Sequence, residues 1–233
     1  MTLRTYRHLP RAGWLPGPWL TEPDRVEWVD EATRLPCLVL RREGLGHLCG
    51  YVGVPPDHPA HGLNYDGITQ AETDEKRRRW DEMMERQRDL REKGLDFEEA
   101  MKAAMHGGTP FDPKPVGAGE LVAELRAHGG LTFAGPRQGY KALDGVGFVR
   151  EDLADTDWWF FGFDCAHAFD ATGFAAPMAF LLASLQVGEY RDVTYVMDEC
   201  SDLAAQLALI DGKKVVSTKA AKRAQNEAAA PRQ

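Results

Sequence analysis

The stretch Trp158 to Cys165, WWFFGFDC, is apolar on both faces created by a strand's period of two. Trp158, Phe160, Gly162 and the terminating Asp164 fall on one face, and Trp159, Phe161, Phe163 and Cys165 on the other. Such a pattern predicts a central strand covered on both sides, and Gly162 among the aromatics predicts close approach of another backbone or a ligand. Two more strands, LPCLVLRR and HLCGYVGV, are predicted between Leu35 and Val54, joined by a Gly-containing hairpin turn at Glu43 to Gly46.

Helical periodicity takes two forms. From Thr73 to Lys93 the pairs Asp74/Arg78, Glu75/Arg79, Glu82/Arg86 and Asp89/Lys93 recur at four-residue spacing, beside a narrow apolar stripe of Trp80, Met83, Met84 and Leu90. Gly94 is a stop, Asp96 a cap, and Phe97, Ala100, Met101 and Ala104 form the matching face of a second helix, so a helical hairpin is predicted. From Tyr190 to Ile210 the stripe is broader: Val193, Val196, Met197, Cys200, Leu203, Leu207 and Ile210 predict a helix packed on the sheet, with Asp198, Glu199 and Asp202 outward.

The segments between supply the connections. Residues 1–24 are rich in Pro, Gly and Trp and read as an extended arm over the core, anchored with Trp14, Trp19 and Trp28. GGTPFDPKPVGAG at 107–119 reads as a flexible return, which makes about 66–118 an insertion. Glu120 to Ala127 is a short helix or strand, Leu131 to Ala134 a short strand, 136–156 a polar connection and 171–189 an apolar loop or short helix. The expectation is an α+β fold: a largely antiparallel sheet, a C-terminal amphipathic helix packed on it and an inserted helical hairpin. Residues 1–211 form a single domain and 212–233 a disordered basic tail.

Composition narrows the partners. A net charge of -8 and a pI near 5.4 argue against a duplex nucleic-acid binder, and the arginines of the hairpin are interleaved with acids as on a solvated face. Cys37, Cys49, Cys165 and Cys200 form no CxxC pair and follow no signal peptide, which points to reduced thiols in a cytoplasm. The longest apolar run, Phe174 to Val187, is broken by Pro177 and too short to span a membrane.

Candidate chemistry gathers after the aromatic strand, where Asp164, Cys165, His167 and Asp170 are all proton carriers or metal ligands. The loop VPPDHPAHG adds His58 and His61 at HxxH spacing, and His128 precedes Gly129 and Gly130. Phosphate-loop, dinucleotide, GxSxG, HExxH and deaminase signatures are absent. Two main readings remain. One is a binding protein in which Trp158 and Phe160 wall a small-molecule site and Asp164, His167 and His128 direct the ligand. The other is a hydrolase whose divalent metal sits among His58, His61, His128, Asp164 and His167. A third, weaker chemistry uses Cys165 as a nucleophile activated by His167, without an evident oxyanion hole.

The segments PWLTEPDRVEWVDEATRLPCLVLRREGLGHLCGYVGVPPDHPAHG, HGGLTFAG, WWFFGFDCAHAFD and YRDVTYVMDECSDLAAQL, in that order over about half the chain, resemble a family of tailed-bacteriophage and prophage proteins that has no agreed activity. The resemblance implies a phage or prophage product in a bacterial cytoplasm; in that context the binding reading becomes a protein that helps a phage by taking up a small-molecule ligand or contacting a host protein, with counter-defence as its setting. Phe169 stands where the family commonly has Gly, which weakens the case for a tight turn there, and the hairpin is longer than the family's usual connection.

Overall fold

The computed structural model describes residues 3–106, 112–136, 157–172 and 188–210. The expected tail, most of 136–156 and most of 171–189 lie outside the described residues. Six strands form one antiparallel sheet: β1 (Arg4–Tyr6), β2 (Arg25–Val29), β3 (Pro36–Arg41), β4 (Leu48–Val54), β5 (Phe133–Pro136) and β6 (Trp159–Asp164), in the order β1-β2-β3-β4-β6-β5. Helix α4 (Val193–Ala208) packs across β3 and β4, and the hairpin α1 (Gln70–Glu92) and α2 (Phe97–His106) is inserted between β4 and β5. The class is α+β, as the sequence pattern predicts.

Alternation sorts the core into two layers. Val26, Trp28, Val39, Leu48, Val52, Phe161 and Phe163 meet Val196, Cys200, Leu203 and Leu207 of α4, while Leu38, Leu40, Cys49, Tyr51 and Phe160 bury on the opposite face. The aromatic strand β6 is interior, between β4 and β5, and buried on both faces. Gly50 lets α4 come close: a Cβ there would stand 2.7 Å from Cys200 Sγ. At Gly162 the close neighbour is the Tyr51 ring, 2.4 Å from a would-be Cβ, with the Gly50 carbonyl oxygen at 2.9 Å.

The N-terminal arm does more than lie on the core, because it contributes β1 and leads into β2. Arg25 and Glu27, which look like solvent positions in RVEWV, are both buried on the face away from α4, and Arg25 Nε donates to Glu27 Oε1 at 2.6 Å. Trp19 packs edge-on against Tyr190, 5.0 Å between centroids, while Trp28 belongs to β2 itself.

In the hairpin, Thr69 and Glu72 form a capping box at the start of α1, Gly94 takes φ +100° just after its end, and Asp96 accepts a hydrogen bond from the Glu99 amide at 2.8 Å. Ala100 and Ala104 are buried as expected, but Trp80 is exposed. The return continues through α3 (Ala118–Val122).

Candidate functional site

Three separate segments meet beyond the C-terminal end of β6. The first is the turn Ala127 to Gly130, closed by a 2.9 Å bond from the Gly130 amide to the Ala127 carbonyl, with Gly129 at φ +66°. It is moored to α4 by Gln206, whose amide both accepts from the Arg126 N–H and donates to the Arg126 carbonyl, each at 2.8 Å. The second is the turn His167 to Asp170, closed at 3.1 Å, in which Phe169 takes φ +74°. The tight turn is therefore present despite the missing glycine, with an exposed phenylalanine in the left-handed region.

The third is the start of α4. The short strands β7 (Asp170–Ala171) and β8 (Glu189–Tyr190) pair in parallel and bring Arg191 beside Asp170, and the N-cap Asp192 accepts from the Tyr195 amide at 2.8 Å.

Asp170 is the hub. Its Oδ2 lies 2.8 Å from His128 Nε2 and accepts from the His167 amide at 3.0 Å, and its Oδ1 accepts from Arg191 Nε at 3.2 Å. Its side chain is only 3% exposed. Burial works to raise its pKa, but the hydrogen bonds from His128 and the His167 amide, with the neighbouring positive charge and Arg191, outweigh it and hold the carboxyl below its ordinary value. On its other side, His128 Nδ1 is 3.0 Å from the Tyr195 hydroxyl, and the Arg191 guanidinium lies over the Tyr195 ring at 4.9 Å.

His167 is the open member, 34% exposed. Its ring rests on Gly129, where a Cβ would come within 2.1 Å of Cε1, and its centroid is 5.5 Å from that of His128. His167 Nδ1 is 3.6 Å from Asp170 Oδ2 and 3.9 Å from Asp164 Oδ1, and makes no hydrogen bond. Among the described residues, His128, His167 and Asp170 form the one group of three whose ligand atoms all lie within 4.8 Å of one another. Within reach of the charges of Asp164 and Asp170, His47 is buried, its Nδ1 also without a hydrogen bond. Burial takes its pKa down to about 4, although Asp164 and Asp170 pull it upward.

Other expected members stand elsewhere. Antiparallel pairing sets Val54 opposite Trp159 and Cys49 opposite Asp164, so the loop after β4 returns to the beginning of β6. His58 and His61 are accordingly at the far end of the strand from His128, and they are engaged there. His58 Nδ1 accepts from the Ala60 amide and its Nε2 meets the Leu207 carbonyl, both at 3.1 Å, while His61 Nε2 meets the Asp157 carbonyl at 2.7 Å.

Trp158 and Phe160 do not wall the cluster either. At about 3.3 Å per residue they lie about 20 and 13 Å back along the strand from Asp164, and Phe160 is sealed in the core. Cys165 is buried toward α4, and burial followed by the charge of Asp170 pushes its thiol well above the ordinary range, which leaves no thiolate for a nucleophile.

Tyr195, Arg191 and His47 carry no motif, and Asp170 shows in the sequence only as a strand-end carboxylate. The one available signal is the HxxD spacing of His167 and Asp170, which suits a four-residue turn. Two surface hollows of about 730 and 610 Å³ both sit on the charge-laced hairpin, away from this cluster. No helix among the described residues is long and apolar enough to cross a membrane. Comparison with protein-family models, with curated proteins and with solved structures finds no match to the chain.

Proposed function

We propose that the protein is a phage or prophage accessory protein that acts in the cytoplasm of a bacterial host, in counter-defence, by binding a small polar ligand of nucleotide kind at the end of β6. One observation supports this most directly. Asp170 fixes His128, the His167 turn and Arg191 from behind, so that His167 stands half-open beside Asp164, its buried Nδ1 uncommitted, while Arg191 lies over the Tyr195 ring. The imidazole and guanidinium supply donors for a phosphate, and the Tyr195 ring supplies a flat surface. Titration of nucleoside mono-, di- and triphosphates, read by calorimetry and thermal melts, tests the reading. Binding by the wild-type chain that is lost in His167→Ala and Arg191→Gln while both variants still unfold in one cooperative transition supports it. Absence of binding by the wild-type chain, or binding by both variants equal to the wild type's, defeats it, and a host protein then becomes the partner to seek.

The grouping of two imidazoles and a carboxylate favours a second reading, a metal-dependent hydrolase in which Asp164 is the general base toward a metal-activated water.

A further inference from the structure

We propose that His128 Nε2, His167 Nδ1 and Asp170 Oδ2 are the protein ligands of a divalent transition metal of the zinc type, held with one coordination position open. The proposal deepens the hydrolase reading and rests on the same residues.

Spacing is the first argument. A tetrahedral ion with ligands at about 2.0–2.1 Å separates neighbouring ligand atoms by about 3.4 Å. In the protein Asp170 Oδ2 is 2.8 Å from His128 Nε2 and 3.6 Å from His167 Nδ1, values that straddle this separation. All three atoms lie within 4.8 Å of one another, so small side-chain rotations converge them on a common centre.

The second argument is the set of groups behind the ligands. The far nitrogen of His128 is 3.0 Å from the Tyr195 hydroxyl, and the far oxygen of Asp170 accepts from Arg191 Nε at 3.2 Å. These contacts leave Nε2 and Oδ2 facing inward, in the arrangement by which outer partners orient metal-binding imidazoles and carboxylates. Both ligand turns depend on left-handed backbone, at Gly129 and Phe169, and the bare Gly129 lets the His167 ring approach His128.

The third is His167 Nδ1, a buried nitrogen that makes no hydrogen bond and, with the ring proton on Nε2, has a lone pair to offer. Two imidazoles with one carboxylate select zinc, iron, nickel or copper over magnesium or calcium, which take oxygen ligands. On binding, the metal replaces the proton between His128 Nε2 and Asp170 Oδ2: an imidazolium gives that proton up to solvent, whereas a neutral imidazole gives it up as Nδ1, facing the Tyr195 hydroxyl, takes one on. Asp164, whose Oδ1 is 3.9 Å from His167 Nδ1, stands near enough to the three ligands to meet a water in the fourth position.

The test uses the full chain, stripped with a chelator and titrated with Zn²⁺ by calorimetry and with Co²⁺ by visible absorption. The expected result is about one ion per chain, with intense four-coordinate cobalt bands. His167→Ala should weaken binding at least tenfold, and Tyr195→Phe, which keeps all three ligands, by about tenfold; His58→Ala should leave it unchanged. No saturable binding by the wild-type chain overturns the proposal. So does binding as tight in the His167 and Tyr195 variants as in the wild type, or lost in His58→Ala. If His167→Ala fails to fold, Tyr195→Phe decides. A metal bound without turnover of a phosphodiester or ester probe leaves the site standing and removes only the hydrolase reading.

Discussion

His128 Nε2 and Asp170 Oδ2 stand 2.8 Å apart across 42 residues of sequence, and this bond ties the HGG turn to the turn that ends the aromatic strand. The bond makes Asp170 and His128 partly structural. Asp170→Asn removes the ionised acceptor from three donors in a buried place and should cost about 3 kcal/mol. His128→Ala should cost about 2 kcal/mol, by leaving Asp170 and the Tyr195 hydroxyl short of a partner. Asp164→Asn, at a more exposed carboxylate, should cost little. Chemical denaturation of the three variants checks the order, and equal costs for Asp164 and Asp170 would contradict the hub role.

Phe169 is strained where a glycine would be free. Its φ of +74° costs an L-residue about 1–2 kcal/mol, against about 0.5–1 kcal/mol of extra chain entropy for glycine. Phe169→Gly should therefore raise stability by about 0.5–1 kcal/mol, whereas Phe169→Ala should not, since the side chain is exposed and makes little packing. Thermal melts of the pair separate backbone strain from side-chain loss.

Acidification should begin to weaken the fold above the pH at which ordinary carboxylates are protonated. His47 in the unfolded chain takes a proton near pH 6.5, but in the folded protein burial keeps it neutral down to about 4. Over that window the unfolded state holds more protons, so stability falls as pH falls. His58, lowered chiefly by burial, adds in the same direction. Stability measured between pH 7 and 4 should slope less in His47→Gln than in the wild type; parallel curves would show that His47 is not a source of the slope.

His58 should matter to stability and not to the site. Its two bonds, from the Ala60 amide and to the Leu207 carbonyl, clamp the loop after β4 to the end of α4. His58→Ala should cost about 1–2 kcal/mol, with ligand and metal titrations unaltered.

The hairpin should be removable. Its ends meet where Gly67 and Gly119 touch so closely that a Cβ on either would lie 2.1 Å from the other's carbonyl oxygen. Among the described elements, α1 packs mainly on α2 and α3 lies under the sheet core through Val122. Replacing residues 70–117 with a short Gly/Ser linker should leave one cooperative thermal transition; an insoluble or molten product would show that the hairpin completes the core.

Local patterning was enough to determine the β3–β4 hairpin, the buried aromatic strand, the helical hairpin with its Gly94 stop and Asp96 cap, and α4, because each carries its own period and its own terminating residue. It also marked His128, Asp164 and His167 as polar groups beside turns. It did not reveal β2, since Arg25 and Glu27 read as solvent positions until their mutual pairing makes them buriable. Nor could it divide the histidines. His58, His61, His128 and His167 are alike as sequence, and only the antiparallel register of β4 against β6 sends the first two to one end of the strand and the last two to the other. The parallel pairing of β7 with β8 is equally non-local: it carries Arg191 to Asp170 and, through α4, Tyr195 to His128, contacts that follow from strand pairing over long chain separations and leave no periodic trace in the residues themselves.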